Sequence, residues 1–219
     1  MLIKVSLQIY TNMNIIISPT YFPDILSFAA MVQADTIMLE VSENYQKQSY
    51  RSRMYIATSN GRLLLNIPIL HSKKKERKKI EDTYIENSFL WQRQHWRSLV
   101  IAYRTSPFFE FYEDDIYPLF HKEYNSLLEF NIDTIKCLQE LLDIDLTISY
   151  TSSYEDNYAD KIDLRYFADG KRKNKTEIAP YRQVFEVKNG FIPYLSILDL
   201  LFNHGPEAIT YLQNVDLKL

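Results

Sequence analysis

Glycine is scarce. The chain of 219 residues has four, Gly61, Gly170, Gly190 and Gly205, and no two are closer than Gly190 and Gly205. A P-loop or a dinucleotide fingerprint needs clustered glycines, so that backbone N–H groups can approach phosphate without a Cβ in the way. Both are excluded. Cysteine is scarcer still. Cys137 stands alone, which removes an intrachain disulfide, a CxxC motif and a cysteine-rich zinc or iron–sulfur site. The histidines His71, His95, His121 and His204 include no i,i+3 or i,i+4 pair, so no single helix carries a metal motif. Neither a metal nor a cofactor is expected. No stretch reaches the ~18 apolar residues of a membrane span. An excess of positive charge is also lacking. The 25 Lys+Arg against 28 Asp+Glu leave a net charge of -3, which argues against a chain built to grip nucleic acid or an anionic membrane.

What is present is enough apolar surface for a sizeable core, with 46% hydrophobic and 24% charged residues. Aromatic content is high at 14%, with 17 Tyr and 12 Phe. Tyrosine pairs an apolar face with a polar tip and suits pockets that bind rings. Residues 1–12 (MLIKVSLQIYTN) have one lysine and no small-residue cleavage site. They do not read as a signal peptide. They read as an extension ahead of one domain spanning 13–219, with Met13 as an alternative start. The unpaired thiol fits a cytoplasmic location.

The Ile-rich run 13–18 predicts a buried strand. Pro19 and Pro23 hold a turn extended, and Asp24 caps a helix to about Ala34. A second strand over 36–41 completes a βαβ unit, which favours parallel pairing. Runs 53–58 and 62–69 flank Ser59-Asn60-Gly61, a strong hairpin signal. A mixed sheet follows from the two together. A helix capped by Ser88 is expected to about Thr105, with a stripe of Phe89, Trp96, Leu99, Val100 and Tyr103. An amphipathic helix covers 125–142, presenting Leu128, Ile132, Ile135, Leu138, Leu141 and Leu142. A strand covers 144–149. The polar segment 150–176 reads as loop, 184–187 as a strand, and 197–202 and 207–212 as helices. The fold class is α/β: a mixed central sheet, with a βαβ opening plus a hairpin, covered by helices in a single domain.

Four stretches carry polar groups beside aromatics. Ser18-Pro19-Thr20-Tyr21-Phe22-Pro23 follows the first strand, and in open α/β sheets ligands sit at the carboxyl ends of strands. Tyr21 is placed to line such a site. Residues 43–53 offer Asn44, Tyr45, Lys47, Arg51 and Arg53, groups that could hold a carboxylate or diphosphate. Trp91, His95 and Tyr103 form a third group, in which flanking tryptophans would tune His95 as a base near neutral pH. The fourth is the apolar run from Ser196 to Gly205, interrupted by Asp199. A buried carboxylate needs a partner, and Arg53 or His95 is expected to supply it.

Taken together, these stretches resemble the WbqC-like family, from about Met13 to Leu212. The family's Pro-x-Tyr-x-Pro turn is matched by Pro19, Tyr21 and Pro23. Its Tyr-x-Lys and following Arg are matched by Tyr45, Lys47 and Arg53, and its Trp-x-x-x-His by Trp91 and His95. Its Ser-Ile-Leu-Asp-Leu-Leu-Phe-Asn-x-Gly is matched in full from Ser196 to Gly205. The family is found with polysaccharide and O-antigen biosynthesis genes, and a glycine or related acyl transfer onto a sugar has been suggested for it. Ser18 replaces an amide common before the turn, and Val41 and Ser42 replace acidic residues common before Tyr-x-Lys.

The resemblance implies a transferase that modifies a sugar or sugar nucleotide. Lys47, Arg51 and Arg53 would hold an anionic group. Tyr21, Asn44, Tyr45 and Tyr103 would contact a ring or its substituents. His95, oriented by Asp199, would act as general base, with Lys47 as a further catalytic group. A homo-oligomer is compatible with this reading, and nucleic acid is disfavoured by charge. The alternative is a non-catalytic binding module for a glycan, a partner protein or single-stranded nucleic acid, using lysines of the run HSKKKERKK at 71–79. That run reads as a solvated loop. Changing Lys73, Lys74 and Lys75 to Ser should therefore move stability by less than ~0.5 kcal/mol in urea denaturation and leave ligand binding unchanged. A tenfold loss of binding by calorimetry would make it a phosphate flap instead.

Overall fold

A computed structural model of the chain describes residues 13–70, 78–171 and 176–219. Residues 1–12, the greater part of the basic run and most of Lys171–Lys175 lie outside the described residues, and so do the readings made for them.

The apolar run NIII forms β1 (Asn14–Ile17), whose three isoleucines are buried. A strand apolar on both faces belongs in the middle of a parallel sheet. It pairs in parallel with β2 (Thr36–Leu39), from Asn14 opposite Thr36 to Ile17 opposite Leu39. Between them lies α1 (Ile25–Gln33), capped by the Asp24 carboxylate, which accepts from Ser27 N–H at 2.9 Å. Seven of its nine residues are buried. Two further strands, β5 (Ile148–Tyr150) and β6 (Ile162–Asp163), extend the sheet to the order β5-β2-β1-β6, all parallel. β6 falls in a segment that reads as polar loop, because two residues are too few to show a period.

The hairpin forms as expected from β3 (Arg53–Thr58) and β4 (Gly61–Asn66). Thr58 pairs with Gly61, so Ser59-Asn60 make a two-residue turn, and Gly61 takes φ +94°. The hairpin does not join the parallel strands. It is a separate two-stranded sheet. The outer edge of β3 is occupied instead: Ser196 N–H donates to Tyr55 C=O at 2.8 Å, and Ala57 N–H to the Tyr103 hydroxyl at 3.0 Å.

Helices surround both sheets. α2 (Trp91–Tyr103) starts later than expected. Ser88 does not cap it, and Phe89 is 62% exposed, so the buried stripe begins at Trp91 and runs through His95, Leu99, Ala102 and Tyr103. α3 (Phe109–Ile116) and a 3-10 turn (Tyr117–Phe120) follow. α4 (Leu127–Leu141) is capped by Ser126. Its buried face is rotated from the apolar stripe read in the sequence and includes two polar residues, Asn131 and Thr134. The expected strand at 184–187 is instead a loop entering the short α5 (Glu186–Asn189), with Val187 fully exposed. α6 (Ile197–His204) and α7 (Ala208–Gln213) close the fold. One hydrophobic cluster runs from Met13 to Leu217.

Gly205 ends α6 at φ +56°, ψ -133°, a region reserved for glycine. A Cβ there would meet the Phe108 ring at 2.5 Å. Gly205→Ala should therefore cost about 2–4 kcal/mol in urea denaturation, combining backbone strain with overpacking.

Candidate functional site

The parallel strands end together, and their carboxyl ends carry a cluster of polar and charged side chains. Strand order reverses between β1 and β6, the place where open α/β sheets bind ligands. Ser18 follows β1, Glu40 follows β2, Thr151 follows β5, and Arg165 lies two residues after β6. Glu40 is fully buried. Its carboxylate accepts from Thr151 Oγ1 at 2.8 Å, from Ser42 N–H at 2.9 Å and from Arg165 Nη1 at 3.1 Å. Arg165 also forks onto Asp163 and donates to the carbonyls of Glu155 and Asp156. It thereby straps the 152–161 loop across the strand ends. The carboxylates beside it hold the Arg165 guanidinium well above its usual range, and Arg165 in turn holds Asp163 below the carboxylate range, against the opposing effect of burial.

Arg51 is the second charged group here, and it is 1% exposed. Its Nε donates to Glu43 Oε1 at 2.6 Å, and its Nη2 donates to Glu43 Oε2 and to Ser18 Oγ at 3.0 Å. Its Nη1 is buried and has no hydrogen-bond partner among the described residues. Asn131 of α4 holds the backbone beneath it, donating from Nδ2 to Arg51 C=O at 2.8 Å and to Pro19 C=O at 3.3 Å. Tyr45 joins the same loop, its hydroxyl 3.1 Å from Ser52 Oγ.

Tyr21 lies next to this loop, its N–H donating to Tyr50 C=O at 3.0 Å. Its hydroxyl is 2.9 Å from His95 Nδ1, and the two rings stack with centroids 5.8 Å apart. Trp91 meets both rings edge-on. Burial pushes the His95 imidazolium down to about 4, against a smaller upward effect of a hydrogen bond to the Asn66 backbone. His95 is therefore neutral at pH 7, with its Nδ1 engaged and its ring sealed among aromatics.

Asp199 sits elsewhere. It is completely buried and accepts from Tyr103 hydroxyl at 2.7 Å, Tyr181 hydroxyl at 2.5 Å and Gln183 Nε2 at 2.9 Å. Burial pushes its carboxyl up to about 6, and these three donors oppose the rise. Its partners are thus neither Arg53 nor His95, and the expected orientation of His95 by Asp199 is replaced by the Tyr21 hydroxyl. Tyr103 is sealed in this network and in contact with Ala57, not open to a ligand. Lys47 and Asn44 are exposed on the loop before Arg51. Arg53 Nε donates to Asn66 Oδ1 at 3.2 Å.

The structure thus sets the Tyr45 hydroxyl on Ser52, next to Arg51 in the chain, buries Tyr21 completely against His95 so that it is not open to a ligand, and sets Tyr103 and Asp199 apart. The sequence reading noted Glu40 and Glu43 only as acids near Tyr45 and Lys47, and missed Asn131, Thr151 and Arg165. Glu40 had a usable signal, as the first charge after an apolar strand. Asn131 had another, as a polar residue on the buried side of α4. A cavity of about 550 Å3 lies away from all of these, lined by His204, Glu207, Tyr211 and Asp216 among others. Among the described residues no group of His, Cys, Asp and Glu could hold a metal ion, and no helix is long and apolar enough to cross a membrane.

The profile of the WbqC-like protein family matches residues 18–173 and 162–211. A relative 25% identical over 224 aligned positions, covering 90% of this chain and 96% of its own length, is the "Uncharacterized protein Rv1507c" of Mycobacterium tuberculosis (strain ATCC 25618 / H37Rv). No solved structure matches the chain.

His95 and Asp199 make opposite contributions to pH dependence. The folded pKa of Asp199 is raised, so its contribution to stability is complete below about pH 3.8 and is lost as pH rises through about 6. His95 is depressed, so its contribution is present above about pH 6.5 and is lost as pH falls through about 4. Urea denaturation between pH 4 and pH 7 should show a steeper rise with pH in Asp199→Asn than in the wild type. The relative gain should be on the order of 3 kcal/mol at most. His95→Gln should show the reverse tilt and cost ~1–3 kcal/mol at pH 7, since the Tyr21 hydroxyl loses its partner. Parallel curves for all three proteins would contradict these ionisation states.

Proposed function

The chain belongs to the WbqC-like protein family, and from that membership and the strand-end geometry we propose that it is a transferase modifying a sugar or sugar nucleotide in surface-polysaccharide synthesis, with glycine or a related acyl group as cargo. The observation that carries the reading is Arg51. A guanidinium withdrawn from water, with Nη1 lacking a partner among the described residues, is a donor set for an oxyanion. A diphosphate or a carboxylate supplies that acceptor. In this reading exposed Lys47 and half-buried Arg53 supply further charge from the same stretch of chain, and Asn44 an amide. Tyr45 offers a phenol on the same loop, at Ser52, whereas the Tyr21 hydroxyl is buried against His95. Neutral His95 is in the form a general base needs, but its Nδ1 is engaged by the buried Tyr21 hydroxyl. Its low basicity leaves orientation and charge stabilisation as the larger contributions. In this reading Asp199 and Tyr103 act from behind, fixing α6 and α2 against the hairpin.

Calorimetric titration with UDP-glucose, UDP and inorganic phosphate tests the reading. Saturable binding is expected, weakened at least tenfold by Lys47→Ala and by Arg51→Lys, which keeps the charge but loses the fork. Failure of all three ligands to bind at millimolar concentration removes the sugar-nucleotide site. The alternative, a non-catalytic binding module, draws support from the engagement of both His95 and Asp199 with neighbouring groups. Mass spectrometry of the sugar separates the two: an added acyl mass marks a transferase. Binding without a mass change marks a module, and a steep salt dependence would turn that module toward nucleic acid.

A further inference from the structure

The solvent face of α2 carries Leu90, Arg93, Arg97, Ile101 and Arg104 at spacings of three and four, one stripe along the helix. Leu90 is 64% exposed and Ile101 71%. The next helix, α3, exposes the opposite sign. Glu110, Asp114 and Asp115 are exposed around Phe111, which is 70% exposed, and Tyr117 follows at its end. The two helices are joined by the short turn 104–108, and Trp96 of α2 packs on Phe109 of α3 and on Tyr117. Among the described residues none of these arginines or carboxylates forms an ion pair within the chain. A basic stripe with exposed apolar residues is thus followed, one short turn later, by an acidic one with exposed apolar residues.

We propose that this face is an interface between two copies of the chain, with α2 of one copy lying against α3 of the other about a two-fold axis. A two-fold contact is self-complementary, so each copy presents both members of the pair. Arg93, Arg97 and Arg104 of one copy meet Glu110, Asp114 and Asp115 of the other, twice over. Ile101 and Phe111 supply the dry centre that exposed side chains of this size lack in a monomer. An acidic partner protein would satisfy only the α2 stripe, and a basic one only the α3 stripe. A second copy satisfies both.

Analytical ultracentrifugation of the full chain tests this. A species of twice the 26.1 kDa chain mass is expected at low salt, weakening as NaCl rises from about 50 to 500 mM. Ile101→Glu should raise the dissociation constant at least tenfold. Two charge-reversed variants make the decisive pair. One carries Arg93→Glu, Arg97→Glu and Arg104→Glu, and the other Glu110→Arg, Asp114→Arg and Asp115→Arg. Each alone should be monomeric, because its two faces now repel. Mixed, they should associate one to one, since each reversed face meets its opposite. All six positions are exposed, and circular dichroism checks that the fold is kept. A wild-type chain that stays monomeric at about 100 μM overturns the proposal. So does a dimer that survives the reversals, or a mixture of variants that does not associate.

Discussion

Burying a guanidinium costs several kcal/mol unless its charge and its N–H groups are met. Arg51 is buried at the point where β1 turns into the Pro19–Pro23 segment, and the surrounding structure is arranged to hold it there. Glu43 answers the charge with a two-point contact, Ser18 accepts one further hydrogen, and Asn131 reaches from α4 to pin the carbonyls of Arg51 and Pro19. One residue therefore ties the first strand, the 43–52 loop and α4 to one another. The same requirement explains why Asn131 interrupts an otherwise apolar helix face, while Thr134 bonds back to the Asn131 carbonyl of its own helix. Arg51 Nη1 and Asn131 Oδ1 stay buried without a hydrogen-bond partner among the described residues.

Arg165 does a matching task at the same strand ends, across the two strands that flank β1. It closes the Glu40 and Asp163 carboxylates, which end β2 and β6, and takes two loop carbonyls with its remaining donors. The strand ends thus carry two clusters, one around Arg165 with every guanidinium donor used, the other around Arg51, where Arg51 Nη1 and Asn131 Oδ1 are buried without a hydrogen-bond partner among the described residues.

His95 and Asp199 show how burial separates groups that look alike on paper. Both are ionisable residues in aromatic surroundings, and both stand in motifs shared with the WbqC-like family. Desolvation drives both toward neutrality, which lowers the imidazolium and raises the carboxyl. Each then relies on tyrosine hydroxyls for partners. Such networks fix helix positions at little cost as long as they stay complete, and here they hold α2 and α6 against the hairpin through Tyr103 and Ala57.

The amino-acid sequence by itself determined the local elements whose causes are local. The Ile-rich run made β1, Asp24 capped α1, Asn-Gly turned the hairpin, and the run from Ser196 to Gly205 made a capped helix stopped by glycine. It also pointed to Tyr21, Tyr45 and Arg51 as neighbours of the first strand's end. Only the tertiary structure decided what those residues touch. That the hairpin stands apart from the parallel sheet depends on the edge of β3 being taken by Ser196 and Tyr103, from distant parts of the chain. The partners of Asp199 lie at 103, 181 and 183, and those of Arg51 at 18 and 43. Hydrogen bonds to a buried charge are set by three-dimensional proximity and by the need to leave no polar group dry. Periodicity and propensity carry no record of either.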